Sequence, residues 1–107
     1  IVPEGHVLAR YLRWLEAEIQ RGNPHTIVEA GRALSRYDAR SWASQLAKPS
    51  AMLVTTKDRL VKPRKQRALA AALGAEIREI KADHFCTWAQ PDQFASLTVE
   101  LVESVRS

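Results

Sequence analysis

One cysteine, Cys86, has no partner in this chain for an internal disulfide. Nothing in it therefore marks a cross-linked, secreted scaffold. No hydrophobic run comes near the ~20 residues that a membrane-spanning helix needs, so no membrane span is expected. There is no internal repeat and no low-complexity tract, which leaves out repeat arrays and disordered linkers. A starting methionine is missing too: the chain begins Ile1-Val2, and its only methionine is Met52. The expectation is a processed product or an excerpt of a longer protein. Missing targeting signals then carry no weight, and the cytoplasm is the expected compartment.

What is present suits a small globular unit. The 107 residues are 46% apolar and 26% charged, enough for one domain with a modest core. The net charge is +4, which raises the question of a nucleic-acid partner. The basic residues are spread out except for Lys57, Arg59, Lys62, Arg64, Lys65 and Arg67. No aromatics interleave that cluster and no nucleic-acid motif contains it. It reads as the solvated start of a helix, and no nucleic-acid partner is expected.

Apolar spacing lays out the elements. Leu8, Leu12, Leu15 and Ile19 form one stripe of an amphipathic helix over residues 4–21. Tyr11 and Trp14 widen the stripe, and Gly22-Asn23-Pro24 stops it. A second helix is predicted over residues 25–36, with Ile27, Ala30, Leu34 and Tyr37 on one side. Its Gly31 either weakens the helix or marks a close helix contact. Asp38 suits an N-cap for a short helix from Ala39 to Leu46, with Trp42 and Leu46 facing one core. Ala51 to Thr55 is apolar without alternation, as in a parallel strand covered on both faces. Pro63 starts a helix rich in strong helix formers that Gly74 closes. "AEIREIKA" reads as a second, charged strand, and a last helix starts at Pro91 with Phe94, Leu97, Leu101, Val102 and Val105 as its stripe. The layout is three helices, one βαβ unit and a closing helix. Two parallel strands are not stable alone, and an open apolar edge invites aggregation, so the first strand is expected to need a further neighbour.

The chemistry gathers at two strand ends. Asp58 follows the first strand and His84 follows the second. In open α/β sheets, functional groups collect at the carboxyl ends of the strands. Adjacent strands lie only ~4.8 Å apart, so the two loops can bring carboxylate and imidazole together. The carboxylate would accept the hydrogen of one ring nitrogen, leaving the other nitrogen free as a base.

The run from residues 38 to 105 resembles the C-terminal third of an α/β-hydrolase fold enzyme. In that family a short helix, a proline, a buried strand and the triad acid come in this order. A "D-x-[LIV]-V-x-P" segment, a helix, a strand, the triad histidine and a final helix follow. Asp58-Arg59-Leu60-Val61-Lys62-Pro63 matches the acid segment and Asp83-His84 the histidine segment. The resemblance therefore assigns the acid role to Asp58 and the base role to His84. Residues 51–67 are similar to uncharacterised actinobacterial members. Residues 1–37 look like the helical cap that many such hydrolases carry, ahead of a core part at 38–107. Thr56 and Lys57 stand where members often have glycine, and Asp83 replaces a frequent glycine before the histidine. Asp83 is then either a turn former or a second acid beside the ring.

The family's nucleophile sits in a G-x-S-x-G turn upstream of the acid. The glycines here, at 5, 22, 31 and 74, bracket no serine in that way. Ser41, Ser44 and Ser50 lie in a predicted helix or its exit, and Cys86 reads as a packing residue. The resemblance thus implies a C-terminal fragment of an esterase- or lipase-like hydrolase. Its nucleophile and oxyanion hole come from the missing N-terminal part, and the fragment alone is expected to be inactive. The implied substrate is a small ester-like molecule, with no cofactor and no metal. An upstream aspartate nucleophile would instead imply an epoxide or haloalkane hydrolase. Rival readings are a non-catalytic binding protein of the same fold and a small basic nucleic-acid-binding protein. Tyr11, Trp14 and Tyr37 are either core residues or an apolar wall at the substrate entrance.

Overall fold

The run Ala51-Met52-Leu53-Val54-Thr55 forms strand β1, and Glu76–Ile80 forms β2. The computed structural model describes residues 7–106. Within them the element order is α1 (Val7–Gln20), α2 (Pro24–Arg36), α3 (Arg40–Ala43), a 3₁₀ turn (Ser44–Leu46), β1, α4 (Pro63–Leu73), β2, α5 (Cys86–Ala89) and α6 (Pro91–Val105). This is a mixed α/β chain with a two-stranded parallel sheet. Ala51 stands opposite Glu76 and Thr55 opposite Ile80. Two compact units divide it, Ile1–Asp38 and Ala39–Ser107. No helix among the described residues is long and apolar enough to cross a membrane.

The second unit has three layers. Paired residues of a parallel sheet project to the same face, so Leu53 and Thr55 share a face with Arg78 and Ile80. That face meets α6: Ile80, Ala82 and Cys86 form a buried cluster with Leu53, Phe94 and Leu97 packed on it. Arg78 also reaches Glu100 of α6 at 3.4 Å. The opposite face, with Val54 and Glu79, meets α4. Val54 and Ala70 are buried, and Arg67 bonds Glu79 at 2.7 Å. Cover on both faces is what the unalternating strand calls for. Among the described residues β1 pairs with β2 alone, and its other edge carries no strand.

Local signals account for the helix limits in this unit. Pro63 occupies the first turn of α4, where its missing N–H costs nothing. Gly74 ends the helix at φ 62°, donating its N–H to Ala70 and Ala71 carbonyls. Only glycine takes that left-handed conformation without strain. Pro91 opens α6 in the same way, and its stripe buries Leu101.

The N-terminal unit holds α1 and α2. The expected helix start at residues 4–6 and the Leu8 side chain lie outside the described residues. Asn23 caps α2, its side chain accepting from the His25 amide at 2.9 Å. Several sequence expectations fail here and just beyond. No residue of α2 is buried. A side chain at Gly31 would meet nothing within 4 Å, so no close helix contact lies there. Trp14 and Tyr37 are exposed rather than core residues, although Tyr11 stacks on Trp14 with ring centres 5.8 Å apart. The N-cap of α3 is Ala39, not Asp38, and no side chain caps it. The predicted single helix to Leu46 splits into α3 and the 3₁₀ turn. Trp42 and Leu46 are each 49% exposed, while the small Ala43 between them is the buried residue. Spacing identifies a helix face, but only packing decides whether anything covers it.

Candidate functional site

Two backbone bonds extend the strand pairing past its end. Thr56 N–H donates to the Ile80 carbonyl at 3.0 Å, and Lys57 N–H to the Ala82 carbonyl at 3.0 Å. The loops leaving β1 and β2 are therefore clamped side by side. The β1 loop then turns back, with the Asp58 amide donating to the Thr55 carbonyl. The β2 loop forms a turn over Asp83–Cys86, and the Asp83 carboxylate accepts from the Phe85 amide at 2.8 Å. Asp83 has the turn-forming role, which suits aspartate at such a corner.

This clamp brings Asp58 and His84 into contact across 26 residues, with His84 Nδ1 3.0 Å from Asp58 Oδ2. The Asp58 side chain is 2% exposed, whereas the His84 side chain is 49% exposed. Asp58 Oδ1 accepts the amides of Leu60 and Val61, each at 2.9 Å. Its Oδ2 accepts the Thr55 hydroxyl at 2.8 Å besides the imidazole. Burial pushes the Asp58 carboxyl up, but the bonds from Val61, Thr55, His84 and Leu60 together outweigh it. The net result lies below its ordinary value of 3.8.

An ionised carboxylate only accepts, so the ring nitrogen facing it must carry hydrogen. In the neutral ring the hydrogen then sits on Nδ1, and Nε2 presents a lone pair. His84 has no second hydrogen-bond partner among the described residues. It lines an open cavity of about 490 Å³ with Lys57, Arg59, Leu60, Asp83 and Phe85. The arrangement is a half-open base held by a buried acid at the mouth of a cleft.

The two site residues proposed from sequence are thus brought together. Among the described residues the serines singled out from the sequence do not join them: the Ser50 hydroxyl bonds the Lys48 carbonyl, and Ser41 and Ser44 lie on the exposed surface of α3 and the 3₁₀ turn. Cys86 is buried in the core cluster, and burial pushes its thiol up, which suits a packing residue. Among the described residues no three His, Cys, Asp or Glu side chains converge to hold a metal. The cations at 57, 59, 62, 64, 65 and 67 are all exposed.

Sequence reasoning missed two contributors. Thr55 and Gln66 lie on β1 and α4, and their side chains join the Asp58 cluster. A threonine three residues before a strand-end aspartate was a usable signal for a local hydroxyl–carboxylate bond. Gln66 had none, since only the docking of α4 places it there. No known protein family, curated protein or solved structure matches this chain.

Proposed function

We propose that the second unit is the C-terminal part of an α/β-hydrolase core, and that Asp58 and His84 are the acid and base of a nucleophile–His–Asp triad. The nucleophile and oxyanion hole are supplied from outside this chain. The observation that carries the reading is the Asp58–His84 contact itself. A buried, ionised acid and a half-open imidazole meet at the carboxyl ends of two adjacent parallel strands. Among the described residues one edge of β1 is unpaired, which supports the reading as well, because a further strand would complete the pairing of β1. In this reading the helices of the first unit correspond in chain order to the family's cap segment.

The reaction is acyl transfer from a small ester to water. His84 Nε2 removes the proton of an incoming serine hydroxyl as its oxygen attacks the ester carbonyl. The imidazolium so formed is stabilised by Asp58 through Nδ1. The same proton then passes to the departing alcohol. In the second half, Nε2 takes a proton from water, whose oxygen attacks the acyl-enzyme. Serine leaves with that proton, and the acid is released. Asp58 stays ionised throughout.

The test is ester turnover by the full-length protein. Asp58→Asn would present an amide hydrogen to Nδ1 and turn the ring to the wrong tautomer. Turnover is expected to fall by a factor on the order of 10⁴ with little change in KM. His84→Ala is expected to abolish it to a similar extent. Wild-type turnover in His84→Ala sinks the reading. Absence of any turnover in a full-length protein lacking a serine or aspartate in the nucleophile turn leaves a binding protein of this fold.

A further inference from the structure

Gln66, the fourth residue of α4, reaches two groups of Thr55 at the end of β1 and one of Val61 beyond the Asp58 turn. Its Oε1 accepts the Thr55 amide at 2.9 Å. Its Nε2 donates to the Val61 carbonyl at 2.7 Å and to Thr55 Oγ1 at 2.7 Å. Two of these partners are backbone groups with fixed roles: an amide N–H can only donate and a carbonyl can only accept. They decide which end of the Gln66 amide is nitrogen. Both hydrogens of Nε2 are then assigned, one to Val61 and one to Thr55. The Thr55 oxygen is an acceptor towards Gln66, so its own single hydrogen is free for Asp58 Oδ2, 2.8 Å away.

We propose that Gln66 is a positioning residue for the Asp58–His84 pair, acting through the Thr55 hydroxyl, which it aims at Asp58 Oδ2. The order of donation runs from amide to hydroxyl to carboxylate, with His84 Nδ1 donating to the same Oδ2 from the other side. Each oxygen of Asp58 then receives two hydrogens, and the carboxylate has no acceptor directed at it. A proton on Asp58 would disturb a bond wherever it sat. This keeps the acid ionised and favours the hydrogen on Nδ1. Gln66 also bonds the Thr55 amide and the Val61 carbonyl, but it makes no bond to Asp58, so its reach to the acid runs through the Thr55 hydroxyl. The significance for catalysis rests on the triad reading above, while the donation order rests on geometry alone.

Nuclear magnetic resonance on the full-length protein reads this without turnover. The signals are the Asp58 carboxyl carbon and the His84 ring nitrogens, followed against pH. Gln66→Met removes the donor without adding charge, Thr55→Val removes the hydroxyl, and Thr55→Ser keeps it. His84, Asp83 and Cys86 on the β2 side, and Lys57 and Arg59 on the Asp58 turn, stay unchanged in every variant. Gln66→Met and Thr55→Val are each expected to raise the Asp58 titration midpoint and to weaken the Nδ1–H tautomer signal. Thr55→Ser should superimpose on the wild type. The double variant should match Thr55→Val alone, because Gln66 acts through that hydroxyl. An unchanged Asp58 midpoint in Thr55→Val overturns the proposal even if Gln66→Met does not fold. So does a Gln66→Met shift of undiminished size in the Thr55→Val background. Turnover that survives His84→Ala in the full-length protein would remove the catalytic role and leave the measured network standing.

Discussion

Asp58 places a full negative charge on a side chain only 2% exposed, and the four donors around it make this tolerable. A buried carboxylate is costly unless hydrogen bonds replace its water. Because its folded value lies below the ordinary 3.8, the sign of its pH linkage follows. Its contribution to stability is complete above the unfolded value and is lost as pH falls through the lower folded value. Asp58→Asn should therefore lower the urea midpoint at about pH 6 and differ much less from wild type at about pH 2. Equilibrium unfolding at the two pH values checks this, and an equal gap at both would contradict it. This aspartate, and His84, were legible in the sequence because each directly follows a recognisable strand. Gln66 was not, because its partners lie 5 and 11 residues away and meet it only after α4 docks.

At the scale of elements, backbone conformation sets two predictions of opposite sign. Gly74 ends α4 at φ 62° with nothing within 4 Å of an added side chain. Gly74→Ala therefore meets only backbone strain, and should cost about 1–2 kcal/mol. Ala47 ends the 3₁₀ turn at φ 51° and already carries that strain. Ala47→Gly relieves it but loosens the unfolded chain, so a gain below about 1 kcal/mol is expected. Thermal or urea unfolding of both variants measures the pair. β1, α4, β2 and α6 were readable because apolar runs, Pro at helix starts and Gly at a helix end are local signals. The predicted helix from Ala39 to Leu46 was misjudged for a related reason. Its apolar spacing is real, but the tightening at Ser44 and the left-handed Ala47 carry no signature in residue type.

For the molecule, the core is small and uneven. Ile80 and Val54 are the large side chains with no exposed surface. Removing most of the Ile80 side chain should cost about 2–5 kcal/mol. Native stability amounts to roughly 0.05–0.15 kcal/mol per residue, so Ile80→Ala is expected to take a large share of what the second unit has. The cooperative unfolding transition should shift sharply or vanish. Leu34, on the predicted stripe of α2 but 75% exposed, should tolerate alanine within about 0.5 kcal/mol. Circular dichroism melts of the two variants separate these outcomes. Comparable losses at both sites would contradict the burial difference.

Residue order alone settled both strands and the helices α4 and α6, the parallel βαβ unit and the placing of Asp58 and His84 at neighbouring strand ends, because these follow from period, punctuation and chain direction. It missed the short α5 and the split of α3 from the 3₁₀ turn. Tertiary structure alone decided which apolar faces are covered, since Ala43 is buried while Trp42, Leu46 and all of α2 are not. It also decided the hydrogen-bond circuit through Thr55 and Gln66. Such a circuit needs side chains from a strand, a loop and a helix within about 3 Å of one another, and that proximity exists only once α4 and both loops are packed on the sheet.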